Sequence, residues 1–304
     1  MLPLIDTSIT NVALDSITLS LHTSATQLAL IVALYGVAFA VCLAMGSKLG
    51  DNLGRRRVFL WGVTLFGIAS LLCGLANSVS ALLAARTLQG MGAALIVPQI
   101  LATLHVTLKG TAHARAISLY GGIGGVAFII GQMGGGWLVS ADIAGLGWRN
   151  AFFINVPICL LVLALSRRYI PETHSETRTR IDWHGTIALA LILCCLLFPL
   201  ALGPELHWPW PTQAALLALF PLAVWMRASA LQQRAGLTPL LPPRLLKLHS
   251  IRFGLLIALL FFSAVRVYVL HGAHLAGRHG DDAIAISFVA LGIAYFVSAG
   301  MPPN

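Results

Sequence analysis

Two continuous apolar runs, residues 28–45 and 58–76, flank a short segment that carries Lys48, Asp51, Arg55, Arg56 and Arg57. Each run is close to the roughly 20 residues that cross a bilayer as a helix. In lipid a spanning segment must satisfy its own backbone polar groups, which excludes open sheets with unpaired edges. A transmembrane barrel would alternate in polarity along each strand, and these runs are apolar throughout. Helices remain. A positively charged hairpin between two spanning helices stays on the cytoplasmic side, so these five charges also set an orientation.

Composition extends the argument to the whole chain. Of 304 residues, 58% are hydrophobic and only 10% are charged, where a soluble domain carries roughly 25% charged residues. The expected fold class is an all-α polytopic membrane protein. The net charge of +9 raises the question of a nucleic-acid partner, but the cations sit in loops between apolar runs and form no single basic face. No nucleic acid is expected to bind; the surrounding partner is the lipid bilayer. Cys42, Cys73, Cys159, Cys194 and Cys195 all lie within apolar runs, with neither metal-site nor disulfide-framework spacing. No basic leader precedes the first run, so no cleaved signal peptide is expected.

Extending the reading along the chain predicts spans at about 2–20, 27–47, 58–76, 79–105, 115–139, 151–168, 184–203, 212–230, 251–270 and 283–300. The loops after the second, fourth, sixth and eighth spans hold 15 of the 19 Lys and Arg residues. This alternation predicts a cytoplasmic N-terminus. The Pro- and Trp-rich stretch 203–211, with Trp208 and Trp210, reads as an external turn, and the hydrophilic run 171–182 follows the sixth span.

Several polar residues fall inside the predicted spans. In the fourth, Arg86, Gly90 and Ala94 are four residues apart and share a helix face, with Gln89 beside it. An intramembrane Arg usually faces a bundle interior or a water-filled cavity; near a helix end it can instead snorkel to the headgroups. The first span holds Asp6 and Asp15 with Thr7, Thr10 and Asn11. A carboxylate there is by default a proton or cation site, with a membrane-surface position as the alternative for Asp6 and the external interface for Asp15. The fifth span carries the pairs Gly121/Gly125 and Gly131/Gly135, whose spacing permits close helix approach. Its many glycines also suit a bendable helix. His271, His274, His279, Asp281 and Asp282 cluster in one loop with no strong metal spacing. No cofactor motif and no nucleophile–base constellation stands out, so an enzyme is not expected.

Taken together, these pieces resemble the major facilitator superfamily, and within it the fourteen-span drug:proton antiporters. The loop after the second span is similar to the family's first signature through Leu49, Asp51, Gly54, Arg55 and Arg56, with Ser47 where that signature has Gly. Leu82, Arg86, Gln89, Gly90 and Gly92 resemble the fourth-span signature, and Gly131, Gly135 and Gly136 the antiporter signature, with Gln132 in place of its Pro. Asp6, Thr7, Asn11, Val12, Ala13 and Leu14 are similar to the first-span motif of the drug-exporter branch. Trp148, Arg149, Phe152, Asn155 and Pro157, then Ile181, Asp182, Trp183 and Gly185, also look like that branch.

The resemblance implies a six-helix N-terminal half at 1–170, a cytoplasmic linker at 171–183, two inserted spans at 184–235, and the start of an incomplete second half at 236–304. It implies a plasma membrane location, the bacterial inner membrane, and proton-coupled export of small drug-like or lipophilic compounds. Asp6, Asn11, Arg86 and Gln89 would line the substrate and proton pathway. Leu49, Asp51, Gly54, Arg55 and Arg56 would form a conformational latch acting against a late helix of the second half. Gly90, Gly131, Gly135 and Gly136 would be interface or bending positions. A further partner would be a polypeptide supplying the missing C-terminal spans. The alternative is a truncated, non-transporting membrane protein.

Overall fold

The computed structural model describes residues 2–173, 183–202 and 209–231, together with residues 248, 249 and 253. Among these there is no strand. The helices are α1 (Leu2–Leu21), α2 (Ala25–Leu53), α3 (Arg55–Gly74), α4 (Val79–Thr107), α5 (Gly110–Ser140), α6 (Asn150–Phe153), α7 (Asn155–Tyr169), α8 (Trp183–Leu202), α9 (Trp210–Leu217) and α10 (Leu219–Leu231). Apart from Phe253, the expected spans nine and ten, and the histidine cluster at 271–282, lie outside the described residues.

Among the described residues, five segments are long and apolar enough to cross a membrane: α2, α3, α4, α5 and Gly147–Tyr169, which joins α6 and α7. The first expected span is a 20-residue helix, yet it is not among the five, because Asp6, Asp15, Asn11 and its hydroxyl residues lower its hydropathy. Asp6, Ser8 and Thr10 are buried against neighbouring helices, whereas Asn11 and Asp15 are exposed. The eighth expected span is divided into α9 and α10 at Ala218. Pro221 accounts for the break, since it has no N–H for the Leu217 carbonyl and its ring crowds that turn.

Local sequence sets the ends. Ser24 caps α2 through a reciprocal pair: its hydroxyl accepts from the Gln27 N–H and its own N–H donates to Gln27 Oε1. Ser78 caps α4 by accepting from the Ala81 N–H. At the same level Arg149 donates to the Ala76 carbonyl at 2.9 Å and stacks on Trp148, tying the start of the sixth span to the α3–α4 turn.

The charged hairpin is tighter than the sequence suggested. Lys48 and Asp51 belong to α2, which runs to Leu53, and the turn is Gly54 alone, at φ +104° and ψ 128°. A residue with a Cβ is strained in that region, and here the added atom would also meet the Glu172 carboxylate. Gly54→Ala is expected to lower stability by about 1–3 kcal/mol, read as a lower thermal midpoint in detergent; an unchanged midpoint would contradict this account of the turn.

The bundle packs α3 on α4, α2 on α4, α1 on α5, α7 on α3 and α8 on α2. Glycines let these helices approach. A Cβ on Gly92 would lie 2.8 Å from Phe66 N, and one on Gly135 3.0 Å from Ile9 Cα. The outer surface keeps large apolar side chains in the open, among them Leu19, Trp137 and Leu160, as a lipid-facing surface does. Inside are two apolar clusters. One gathers Ile9, Ile17, Ile31, Cys73, Leu82, Ala85, Trp148 and Phe152; the other gathers Leu2, Tyr35, Val63, Phe66, Ala93, Ile96 and Cys159.

Candidate functional site

Between those two clusters lies a layer of buried polar side chains. On each contributing helix the polar residue falls between a residue of one cluster and a residue of the other: Asp6 between Leu2 and Ile9, Ser70 between Phe66 and Cys73, Arg86 and Gln89 between Ala85 and Ala93, Asn155 between Phe152 and Cys159. Four helices therefore bring their polar groups to one level.

Arg86 and Asp6 form an ion pair at 2.7 Å with both side chains only 1% exposed. Arg86 Nη1 also donates to Gln89 Oε1 at 2.6 Å, and Nε donates to the Ile31 carbonyl at 3.3 Å. The Tyr35 ring lies 4.3 Å from the guanidinium carbon and Phe152 lies 5.8 Å from it, so the cation is enclosed by aromatic faces. Gln89 Nε2 donates to Asp6 Oδ1 at 2.7 Å and to Ser70 Oγ at 2.8 Å. Asn155 Nδ2 donates to Asp6 Oδ1 at 2.8 Å. Cys73 Sγ lies 3.7 Å from Gln89 Oε1. A buried pair is tolerated only when its remaining hydrogen-bonding capacity is satisfied, and Gln89 and Asn155 do this for the carboxylate.

Of the residues expected along the pathway, Asp6, Arg86 and Gln89 come together here. The surface position for Asp6 and the snorkelling position for Arg86 do not occur. Asn11 is not part of the layer: it is exposed on α1, as is Asp15. Asn155, Ser70 and Tyr35 complete the layer and were not among the expected pathway residues. Asn155 stood in a motif already visible before the sixth span; Ser70 and Tyr35 carried no signal, being single polar groups within apolar runs.

The latch residues sit at the opposite end of α3. Arg55 Nη2 pairs with Asp51 at 2.6 Å across Gly54. The loop closes onto the chain just after α7. The Arg55 N–H donates to the Thr173 carbonyl at 2.8 Å, the Arg56 N–H donates to Glu172 Oε1 at 3.1 Å, and Arg56 Nη1 donates to the Ile170 carbonyl at 3.2 Å. Among the described residues, the hydrogen bonds of Arg55 and Arg56 outside α2 and α3 are thus with residues 170–173. Leu49 lies on α2 one turn before the Gly54 turn. Beside the clasp is a cavity of about 190 Å³ lined in part by Arg55, Phe59, Gln99, Ile100 and Tyr169. It is below the roughly 300–1,000 Å³ of small-molecule pockets, so no substrate site is assigned to it.

The glycines divide. A Cβ on Gly90 would collide with the Tyr35 carbonyl and lie 3.2 Å from Phe39 N; one on Gly131 would lie 3.0 Å from the Ile5 carbonyl. Gly135 packs on Ile9 in the same way, whereas Gly136 makes only ordinary contact with Val12 at 3.8 Å. α5 is one continuous helix from Gly110 to Ser140. Gln132 faces α1, with its Oε1 2.8 Å from Ser8 Oγ.

The profile of the Major Facilitator Superfamily matches residues 2–304. The chain belongs to this superfamily. It is 34% identical over 266 residues to the "Probable actinorhodin transporter" of Streptomyces coelicolor, covering 87% of this chain and 46% of that protein. It is 34% identical over 245 residues to the "Methylenomycin A resistance protein" of the same organism, covering 80% and 50%. With the "Drug efflux pump JefA" of Mycobacterium tuberculosis the identity is 37% over 202 residues, covering 66% and 39%. The chain thus spans about half or less of the length of these curated relatives. Among solved structures, the proton:xylose symporter XylE bound to 6-bromo-6-deoxy-D-glucose superposes with a TM-score of 0.60 at 15% identity, over 98% of this chain and 65% of that one. At that identity the likeness concerns the fold. This major facilitator protein is an all-α, multi-pass membrane bundle.

Proposed function

We propose that this major facilitator protein takes part in proton-coupled export of small drug-like or lipophilic compounds across the bacterial inner membrane, with its N-terminus in the cytoplasm. The observation that carries the proposal is the buried Asp6–Arg86 pair bridged by Gln89. A carboxylate held inside a membrane bundle against a fixed cation is a group whose charge changes when it takes a proton, and the loss of that charge releases the pair. The sign of the cycle follows: with Asp6 ionised the pair is closed, and with Asp6 protonated Arg86 loses its counter-charge and the helices α1 and α4 are freed to shift. The relatives named for drug efflux and antibiotic resistance support small lipophilic compounds as the substrate class.

The residues before 170 are read as a six-helix half, 171–183 as a cytoplasmic linker, 184–235 as two inserted spans and 236–304 as the beginning of a second half. In such an arrangement the halves rock about a central site. The Asp51–Arg55–Arg56 clasp on residues 170–173 would hold the cytoplasmic ends of α2, α3 and α7 together in one of the two states, and Gly131 and Gly135 would let α1 slide on α5. Asn11, which lies outside the polar layer, is assigned to a substrate-facing surface of α1.

Dye efflux from energised cells tests the proposal, comparing the native chain and the chain completed by downstream helices. Efflux that collapses with a protonophore and disappears in Asp6→Asn is the expected result. Efflux that persists in Asp6→Asn with unchanged dependence on the proton gradient would sink it, as would no efflux of any compound by correctly inserted protein in either form.

A further inference from the structure

The Asp6 carboxylate accepts three hydrogen bonds, from Arg86 on Oδ2 and from Gln89 and Asn155 on Oδ1. All three partners present donors, which suits an ionised carboxylate because it only accepts. A protonated Asp6 carries an O–H in a site closed to solvent, and a buried donor without an acceptor is costly. One of its neighbours must then offer an acceptor.

Arg86 has none. Gln89 is engaged at both ends, accepting from Arg86 at Oε1 and donating to Ser70 at Nε2. Turning it over would set its NH₂ against the guanidinium. Asn155 differs. Its Nδ2 holds Asp6, while its Oδ1 is buried and has no hydrogen-bond partner among the described residues. The amide orientation is set by the carboxylate, which accepts only a donor. A half-turn of that amide about χ2 exchanges the two ends within nearly the same volume.

We infer that Asn155 is a two-way positioning residue for Asp6: Nδ2 holds the ionised carboxylate, and after a half-turn of the amide Oδ1 accepts the hydrogen of the protonated acid. This rests on Asp6 being the proton-carrying group proposed above. One O–H bond forms on Asp6, the proton comes from the aqueous phase, and no other covalent bond changes. The titratable groups near Asp6 are Arg86 on α4, Tyr35 on α2, Cys73 on α3 and Cys159 on α7. On the α5 side, Ser8 of α1 meets the uncharged Gln132. Tyr35 Oη is a competing acceptor, since it too is buried and its ring lies against the Arg86 guanidinium.

Infrared difference spectra of the purified full chain between alkaline and acidic pH test the inference. The native protein is expected to show the C=O stretch of a protonated carboxyl, and Asp6→Asn to lose it. Asn155→Leu is expected to move that band to higher wavenumber, because the acid O–H no longer has its acceptor, and Asn155→Ala to move it likewise should the leucine variant fail to fold. Asn155→Thr, which keeps an acceptor, and Tyr35→Phe should leave it near its native position. An unmoved band in Asn155→Leu or Asn155→Ala overturns the role of Asn155, and a shift confined to Tyr35→Phe transfers that role to Tyr35. A native spectrum with no band that Asp6→Asn removes overturns the proton-carrying reading of Asp6, and this inference with it.

Discussion

Arg86→Leu is expected to destabilise the bundle by about 3–5 kcal/mol, the cost of leaving a buried charge without its partner. Asp6 would then keep its bonds from Gln89 and Asn155 but face no cation, in a site where both side chains of the pair are 1% exposed. Gln89 Oε1 and the Ile31 carbonyl would each lose a donor as well. Thermal unfolding in detergent measures this, with a thiol-reactive dye reporting as the buried Cys42, Cys73 and Cys159 become accessible. The comparison that decides the cause is the double variant Asp6→Leu with Arg86→Leu. Replacing a buried pair by apolar groups is often neutral, so the double variant should recover most of the loss while remaining inactive in efflux. A single Arg86→Leu that costs less than about 1 kcal/mol would show that the pair is solvated in the membrane and that the buried geometry is not what holds it.

Gly90→Val is the second large effect. A Cβ at position 90 would overlap the Tyr35 carbonyl and lie 3.1 Å from Ala38 Cβ and 3.2 Å from Phe39 N. Two of these three atoms are backbone, so no rotamer change can clear them. Overpacking of this kind costs about 1–3 kcal/mol for a single added group, and more when backbone must move. Helix α2 would be pushed from α4, carrying the Tyr35 ring away from the guanidinium it now covers at 4.3 Å. A lower thermal midpoint together with reduced efflux is therefore expected. Gly134→Ala is the matched control: nothing lies within 4 Å of its added Cβ, and an alanine in a helix interior gains roughly 0.5–1 kcal/mol over glycine. Equal losses in the two variants would show that the glycines matter through helix propensity or flexibility and not through close approach.

Much of the fold was legible because lipid leaves few choices. Apolar runs of span length must be helices, and α2, α3, α4, α5 and Gly147–Tyr169 follow them closely. The departures have local causes. The charged segment at 48–57 is mostly helix with a one-residue turn, because Gly54 alone can take φ +104°. The eighth apolar run breaks at Ala218, because Pro221 removes the hydrogen bond that would have continued it. Neither is a matter of hydropathy, which is blind to backbone geometry.

The site was only half legible. Arg86 and Gln89 are three residues apart on one helix, so their proximity follows from helical periodicity. Asp6 and Asn11 looked equivalent as polar residues in the first span, yet Asp6 is sealed in the core and Asn11 faces outward. The partner that Asp6 finds instead is Asn155, 149 residues away.

By itself, then, the chain determined its solvent and its helices, since these depend on hydrophobicity summed over local stretches. Which carboxylate is buried, which amide holds it, and where the charged loop docks were decided by tertiary structure. Each depends on the rotation and level at which α1, α3, α4 and α7 meet. Close approach contributes to this through Gly90 against α2, Gly92 against α3, and Gly131 and Gly135 against α1, contacts between segments far apart in the chain that no local pattern encodes.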